Sequence, residues 1–242
     1  MKIAFIIPVY NHPHYLNALI EHLKTYALPI ILINDGSDEE TTTILKTFAQ
    51  DVVLVEHAQN MGKGQAVMTG IQKAKALGCS HALQLDADGQ HCWEDIPQFL
   101  KATEQNPNAM VIGSPIFDAS VPKKRLYGRY ATHIWVWINT LSLEIKDSMC
   151  GFRVYPIEST VKLMSQYKLR PRMGFDSEIL VHLKWQGVPF INIPTSVVYP
   201  ENGISHFKVW EDNVELSKMH ATLFAGMLWR LPQLLKQKVK GR

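Results

Sequence analysis

The chain has 242 residues, 46% hydrophobic and 19% charged, enough to bury one substantial core in one large domain with an elaborated C-terminal part. Its net charge of +3 is uneven, because Arg230 to Arg242 holds five basic residues and no acid while the body is close to neutral. That distribution excludes nucleic acid as the main partner, which would require a basic stripe across a folded face, and directs the tail to an anionic surface. Cys79, Cys92 and Cys150 are widely separated and form no Cys-x-x-Cys pair, which excludes a disulfide framework and a zinc site; they read as buried thiols in a reducing cytoplasm.

The apolar run Met1 to Pro8 is too short for a signal peptide and lacks a small-residue cleavage site, so it reads as a first strand. Further strands are predicted at Ile30 to Asn34, Val52 to Glu56, His81 to Asp86 and Ala109 to Gly113, after a first one at Ile3 to Val9. Between the first two, Leu16, Leu19, Ile20 and Leu23 recur at helical spacing, and Val67, Gly70, Ile71 and Ala74 repeat the pattern. Ser37-Asp38-Glu39-Glu40 fits a capping box, Pro13 suits a first helical turn, and Gly78 and Gly187 fall where a helix would end. Alternating strands and helices predict an α/β fold with an open, mainly parallel sheet, and ligands of such sheets bind beyond the carboxyl ends of the strands.

Those ends are polar. Tyr10-Asn11 follows the first strand, Asp35-Gly36-Ser37 the second, Asn60-Met61-Gly62-Lys63-Gly64 the third and Asp86-Ala87-Asp88-Gly89-Gln90 the fourth. An Asp-x-Asp-Gly string is often a surface turn. At the end of a buried strand, two carboxylates and an amide also suit Mg²⁺ or Mn²⁺, which favour hard oxygen ligands and bridge proteins to diphosphates. Asp35 could accept hydrogen bonds from a base edge or ribose hydroxyls. Gly62-Lys63-Gly64 at a helix start offers backbone N–H groups and an ammonium to phosphate, or is an ordinary tight turn.

Taken in order, Ile7-Pro8-Val9-Tyr10-Asn11, Asn34-Asp35-Gly36-Ser37-Asp38, Asn60 to Gly64, Asp86 to Gln90 and Asp147-Ser148-Met149-Cys150-Gly151-Phe152-Arg153 resemble the motifs of family 2 glycosyltransferases with the GT-A fold. Within that family the chain is most similar to the dolichyl-phosphate mannosyltransferase-like branch of polyprenyl-phosphate glycosyltransferases, over about residues 2 to 200. The resemblance implies a UDP- or GDP-linked sugar donor, a divalent metal and inversion at the anomeric carbon. Carried over by position, Pro8, Tyr10, Asn11 and Asp35 would hold the nucleoside, Lys63 would face the donor, and Asp86, Asp88 and Gln90 would coordinate metal and diphosphate, Asp88 counting as catalytic. His12 and Asn34 stand where the family usually has acids, a departure that bears on base identity and leaves the metal motif intact.

The second half should receive the acceptor. Lys123-Lys124-Arg125 and Arg129 precede the apolar stretch Ile134 to Leu143; in related enzymes such a segment lies at the membrane and its arginines bind a lipid phosphate. Arg125, Arg129 and Arg153 are the phosphate candidates, since guanidinium forks match phosphate oxygens, while solvated helix charges are the plainer reading of the first two. A hydroxyl acceptor would need a carboxylate base, for which Asp147 or Asp176 qualifies; a phosphate acceptor would not. Asp176 and Glu178 also read simply as acids at a helix N-terminus. His206 sits in a loop that could close over the diphosphate, or is a packed loop histidine.

The expected organisation is a catalytic domain over 1–209, with a nucleotide-sugar half (1–115) and an acceptor half (116–209), followed by an amphipathic basic helix over 210–242. The apolar run Ala221 to Trp229 is too short to span a bilayer, so with Trp229 and the basic tail it reads as a helix lying in the membrane interface. A core helix or a homodimer face explains the same stripe. The expectation is a peripheral protein at the cytoplasmic membrane face that transfers a sugar to a polyprenyl phosphate, with transfer to a saccharide or glycolipid hydroxyl, or nucleotide-sugar binding without catalysis, as alternatives.

Overall fold

The computed structural model describes residues 1–117, 123–197 and 209–239. In chain order the elements are β1 (Ile3–Val9), α1 (Leu16–Lys24), β2 (Ile30–Asn34), α2 (Glu39–Thr47), β3 (Val53–Glu56), α3 (Lys63–Ala76), β4 (His81–Gln84), α4 (Ile96–Gln105), β5 (Met110–Ile116), α5 (Lys123–Thr140), β6 (Arg153–Pro156), α6 (Ile157–Gln166), α7 (Phe175–Trp185), β7 (Phe190–Ser196) and α8 (Val209–Val239). The strands form one sheet in the order β3-β2-β1-β4-β6-β5-β7. β1 pairs in parallel with β2 and β4, β2 with β3, and β5 with β7, while β6 runs against both of its neighbours, β4 and β5.

Period-two alternation sends the side chains of each central strand into two cores. Ala4 and Ile6 of β1 enter the core formed with α3, α6, α7 and α8, and Ile3, Phe5, Ile7 and Val9 enter the one formed with α1 and α4. Burial on both faces explains why the parallel strands read as continuous apolar runs.

Several boundaries differ from the sequence expectation. β4 stops at Gln84, which frees Asp86 from the ladder; β3 begins at Val53 and β5 spans Met110–Ile116. β6 and β7 had no clear signal, because β6 is short and begins with an arginine and β7 contains Pro194, tolerated because β7 is an edge strand. Pro13 precedes α1 rather than opening it, its carbonyl accepting from Leu16 N at 3.2 Å. α2 is capped by Asp38, whose carboxylate accepts from Thr41 N at 2.8 Å; the residue in that position is Thr rather than Glu, so the reciprocal half of a capping box is missing. Gly78 and Gly187 do close α3 and α7 with left-handed backbones, at φ +72° and +81°.

The C-terminal helix corrects a larger expectation. Leu216, Met219, Leu223, Met227 and Leu234 of α8 are buried in the same core as α7, so most of the stripe expected at a membrane interface is a core stripe. Trp210, Leu228, Trp229 and Leu235 remain exposed on its other side. Among the described residues no helix is long and apolar enough to cross a membrane. Cys79 and Cys150 are buried as expected, whereas Cys92 is half-exposed.

Candidate functional site

The ends of β1, β2 and β3 are tied together by short polar contacts. Asn11, left-handed at φ +52°, donates its backbone N–H to Ser37 Oγ at 3.1 Å and accepts from Asp38 N on its Oδ1 at 2.9 Å. The buried Asp35 carboxylate accepts from Met61 N (2.9 Å), Gly62 N (2.8 Å) and Asn60 Nδ2 (3.0 Å), with His57 Nδ1 at 2.7 Å. Both of its oxygens are thus engaged within the protein, which corrects the expected direct contact with a nucleoside: Asp35 organises the loop before α3. Of the three N–H groups in the expected phosphate cradle, that of Gly62 is turned to Asp35, as is that of Met61 before it, while Gln65 N donates to Pro171 O. What this loop still offers is the Lys63 ammonium. Pro8 and Tyr10 lie half-buried at the end of β1.

Asp86 lies just beyond β4, over a floor built by β4 and β6. Its Oδ1 accepts from Gln84 Nε2 at 3.0 Å, and Gln84 in turn accepts from the Tyr155 hydroxyl at 2.9 Å, so a buried chain of two bonds fixes the carboxylate from below. A Cβ on Gly151 would collide with that carboxylate; only glycine leaves the room it occupies. Its Oδ2 accepts from Lys63 Nζ at 2.9 Å, and the same ammonium stands 3.4 Å from Asp176 Oδ2. Asp176 is 3.5 Å from the Arg153 guanidinium. The next acid, Asp88, accepts from Gln90 N at 3.1 Å, which folds the Asp86 to Gln90 segment into a turn over the same floor. His91 stands with Nε2 at 3.5 Å from Asp86 Oδ2, its ring against Phe152 and both nitrogens buried without a hydrogen-bond partner.

The electrostatics follow from this crowding. Burial alone would drive the Lys63 ammonium toward neutrality, but Asp176 and Asp86 outweigh it and hold its pKa above the ordinary lysine value. Burial would likewise raise the Asp86 carboxyl, and Lys63 and His91 override it, keeping Asp86 ionised. Asp88 goes the other way: burial, and then the charge of Asp86, raise its pKa. A carboxyl whose charged form is disfavoured first by burial and then by a neighbouring carboxylate gains from an added positive charge. Asp86, Asp88 and Gln90 are the residues that would hold a divalent cation there. Among the described residues no group of three or more His, Cys, Asp or Glu is placed to hold a metal, so the protein would supply a minority of the ligands, as suits an ion that keeps waters or shares phosphate oxygens.

The second-half candidates are distributed unevenly. Asp147 accepts both arms of Arg129, at 2.6 Å each, and the backbone N–H groups of Met149 and Cys150, which leaves it no role as a base. Arg153 is fully buried and donates to the carbonyls of Cys150, Ser148 and Asp176; the expected phosphate ligand is a strut of the floor. Asp176 is brought to Lys63, with Oδ1 buried and lacking a hydrogen bond. The Arg125 side chain and His206 lie outside the described residues. Sequence reading missed Gln84, Tyr155 and His91. The one signal for Gln84 was an amide inside an apolar strand.

The comparisons agree with this architecture. A family model described as glycosyl transferase family 2 matches residues 4–162. The UDP-N-acetylglucosamine–dolichyl-phosphate N-acetylglucosaminyltransferase of Methanococcus voltae is 27% identical over 82% of this chain and 86% of its own. The dolichyl-phosphate beta-glucosyltransferase of Dictyostelium discoideum is 27% identical over 89% of this chain and 72% of its own. Among solved structures, glucosyl-3-phosphoglycerate synthase from Mycobacterium tuberculosis, in complex with Mn²⁺, UDP-glucose and phosphoglyceric acid, superposes with a TM-score of 0.62 at 14% identity, over 95% of this chain and 79% of that one. S. aureus TarS 1-349 with UDP-GlcNAc gives 0.58 at 15% identity, over 98% and 72%. These likenesses show a GT-A fold, and the match of the family model across most of the sheet shows that the chain belongs to glycosyl transferase family 2 and is a glycosyltransferase.

Proposed function

We propose that the chain moves a sugar from a UDP- or GDP-linked donor to a polyprenyl phosphate or related lipid phosphate, with inversion at the anomeric carbon and with Mg²⁺ or Mn²⁺ held by Asp86, Asp88 and Gln90. The observation that carries the reading is the convergence of Asp86, Asp88, Lys63 and Asp176 over one buried floor at the ends of β4 and β6. The acceptor class is supported by the relatives whose names carry dolichyl phosphate, and the donor class and ion by structural neighbours solved with UDP-sugars and, in one case, Mn²⁺.

Bound at this site, such an ion would neutralise the charge that develops on the departing nucleoside diphosphate. Pro8, Tyr10 and Asn11, the last of them tied to Ser37 and Asp38, would form the wall for the nucleoside, and Lys63 would present its ammonium to the diphosphate. The acceptor oxygen bonds to the anomeric carbon from the face opposite the leaving group; the bond to the diphosphate breaks and its electron pair leaves with the nucleotide. A phosphate oxygen is already ionised and needs no base. Arg125, and Arg129 once an arm of its fork leaves Asp147, are the residues we assign to that phosphate. We also place the exposed Trp210, Leu228, Trp229 and Leu235, with Lys236 and Lys238, against an anionic membrane surface on the cytoplasmic side, where a lipid acceptor would be presented. The hydroxyl-acceptor alternative would assign the base to Asp176, whose carboxylate stands between Lys63 and Arg153.

The test is transfer from UDP- and GDP-linked sugars to a short-chain polyprenyl phosphate in vesicles with Mn²⁺. A lipid-linked product from one donor class is expected, and Asp88→Asn should lower kcat by about 100-fold or more while leaving the melting temperature nearly unchanged. Unaltered turnover in that variant, or product with hydroxyl acceptors alone, would overturn the proposal.

A further inference from the structure

Lys63 stands where a cation is wanted. Its ammonium touches Asp86 Oδ2 and reaches Asp176 Oδ2, while Asp86 Oδ1 is pinned from below by Gln84. Oδ2 is therefore the edge of Asp86 that faces the site, and the lysine already covers it. The backbone that carries Lys63 has little freedom: Gly62 N is bonded to Asp35, a Cβ on Gly62 would run into Pro171 O at 2.6 Å, and Gly64 is closed against the Phe175 side chain. The side chain, by contrast, is a four-carbon stem with a point charge at its end, held by no planar fork, and is 26% exposed. It can swing while its anchor stays fixed.

We propose that Lys63 is a resident counter-cation of this site: its ammonium covers the inner edge of Asp86 until a divalent cation arrives, then turns to the donor diphosphate, so that cation and nucleotide bind cooperatively. This rests on the metal reading given above and adds to it an exchange in which one charge replaces another. The physical reason is charge economy. Asp86, Asp88 and Asp176 crowd a partly buried space, and leaving them unpaired before the cation arrives would be costly. Admitting a divalent ion while the ammonium remains on Asp86 would place like charges on one carboxylate oxygen. Asp176 Oδ2, 3.4 Å away, can keep part of the ammonium's charge, and the diphosphate, with its own negative oxygens, gives it a stronger partner to turn to. A lysine whose sole task is to bind the donor would leave the affinity for free Mn²⁺ untouched when it is removed.

The experiment measures Mn²⁺ binding to the full chain by electron paramagnetic resonance, with and without UDP or GDP, for the wild type, Lys63→Met, Lys63→Gln and Lys63→Arg. The two neutral variants should bind Mn²⁺ alone roughly fivefold or more tightly, the scale set by losing one ion pair, and should show a smaller gain on adding nucleotide. Lys63→Arg keeps the charge and adds a fork that grips a carboxylate, and should bind free Mn²⁺ no more tightly than the wild type. Equal or weaker binding of free Mn²⁺ in whichever neutral variant retains the wild-type circular dichroism would overturn the exchange. If the wild type binds no Mn²⁺ with or without nucleotide, the metal reading itself fails, an outcome distinct from a wild type that binds and a lysine that makes no difference.

Discussion

The two halves of the sheet stabilise their buried acids differently. Beyond β1 to β3, Asp35 is held by two backbone amides, a side-chain amide and an imidazole, all from the end of the neighbouring strand. Among α5 to α8 and the segments between them, Asp147 leans on Arg129, Asp176 on Arg153, Glu178 on Arg170 and Lys184 on Glu144. The first arrangement is built largely from neutral donors. The second works through charges, and through Arg153 and Asp176 it reaches the site. An amide bond lost at the first rim leaves its neighbours in place, whereas a guanidinium lost from the second leaves a buried charge and several carbonyls without partners.

The largest effect should come from breaking the second arrangement at its most buried point. Arg153→Met removes the donor to three carbonyls and the cation beside Asp176, and should cost about 3–5 kcal/mol in urea unfolding. A loss below ~1 kcal/mol would mean that the charge frame is ornamental and the contrast between the halves false. Acid should sharpen the same contrast. Burial, then Arg230 and Arg170, lower the His182 pKa to about 4, and burial, then Arg170, do the same to His220. The unfolded chain therefore takes up protons near pH 6.5 that the folded chain refuses until about pH 4. Stability is fully present above that window and falls as pH drops through it, by up to about 1.4 kcal/mol per pH unit for each histidine. Melting curves across this range should be steeper for the wild type than for His182→Gln. The smallest effect belongs to the other half: Asp38→Ala removes one cap from α2 and should cost about 1 kcal/mol in the same unfolding assay.

This contrast also explains what could be read from the chain. The rim of the first half was legible because each strand end and its loop are consecutive in sequence, so Asp86, Asp88 and Lys63 announced themselves beside apolar runs. Even there, the role of Asp35 was misjudged: nothing in Asn34-Asp35-Gly36 shows that Met61 and Gly62 will return their N–H groups to it. Arg153 was hidden for the same reason. Two of its acceptors, the carbonyls of Ser148 and Cys150, are near in sequence, but its burial follows from the reversed pairing of β6 with β4, a long-range event that no local pattern encodes. The stripe of α8 was legible as a stripe, but burial against α7 and exposure to lipid leave the same spacing of Leu and Met.

The reversal of β6 has a consequence of its own. Because β6 enters the sheet antiparallel between β4 and β5, the chain leaves at the end of β5 and comes back in beside Gln84, on the same edge it left. Everything from 117 to 152 is thus an excursion whose two ends are clamped within neighbouring strands. The last residues of that excursion belong to the centre they return to: Gly151 makes room for the Asp86 carboxylate, and the carbonyls of Ser148 and Cys150 hold Arg153. A change in how the chain comes back is therefore felt directly beneath Asp86.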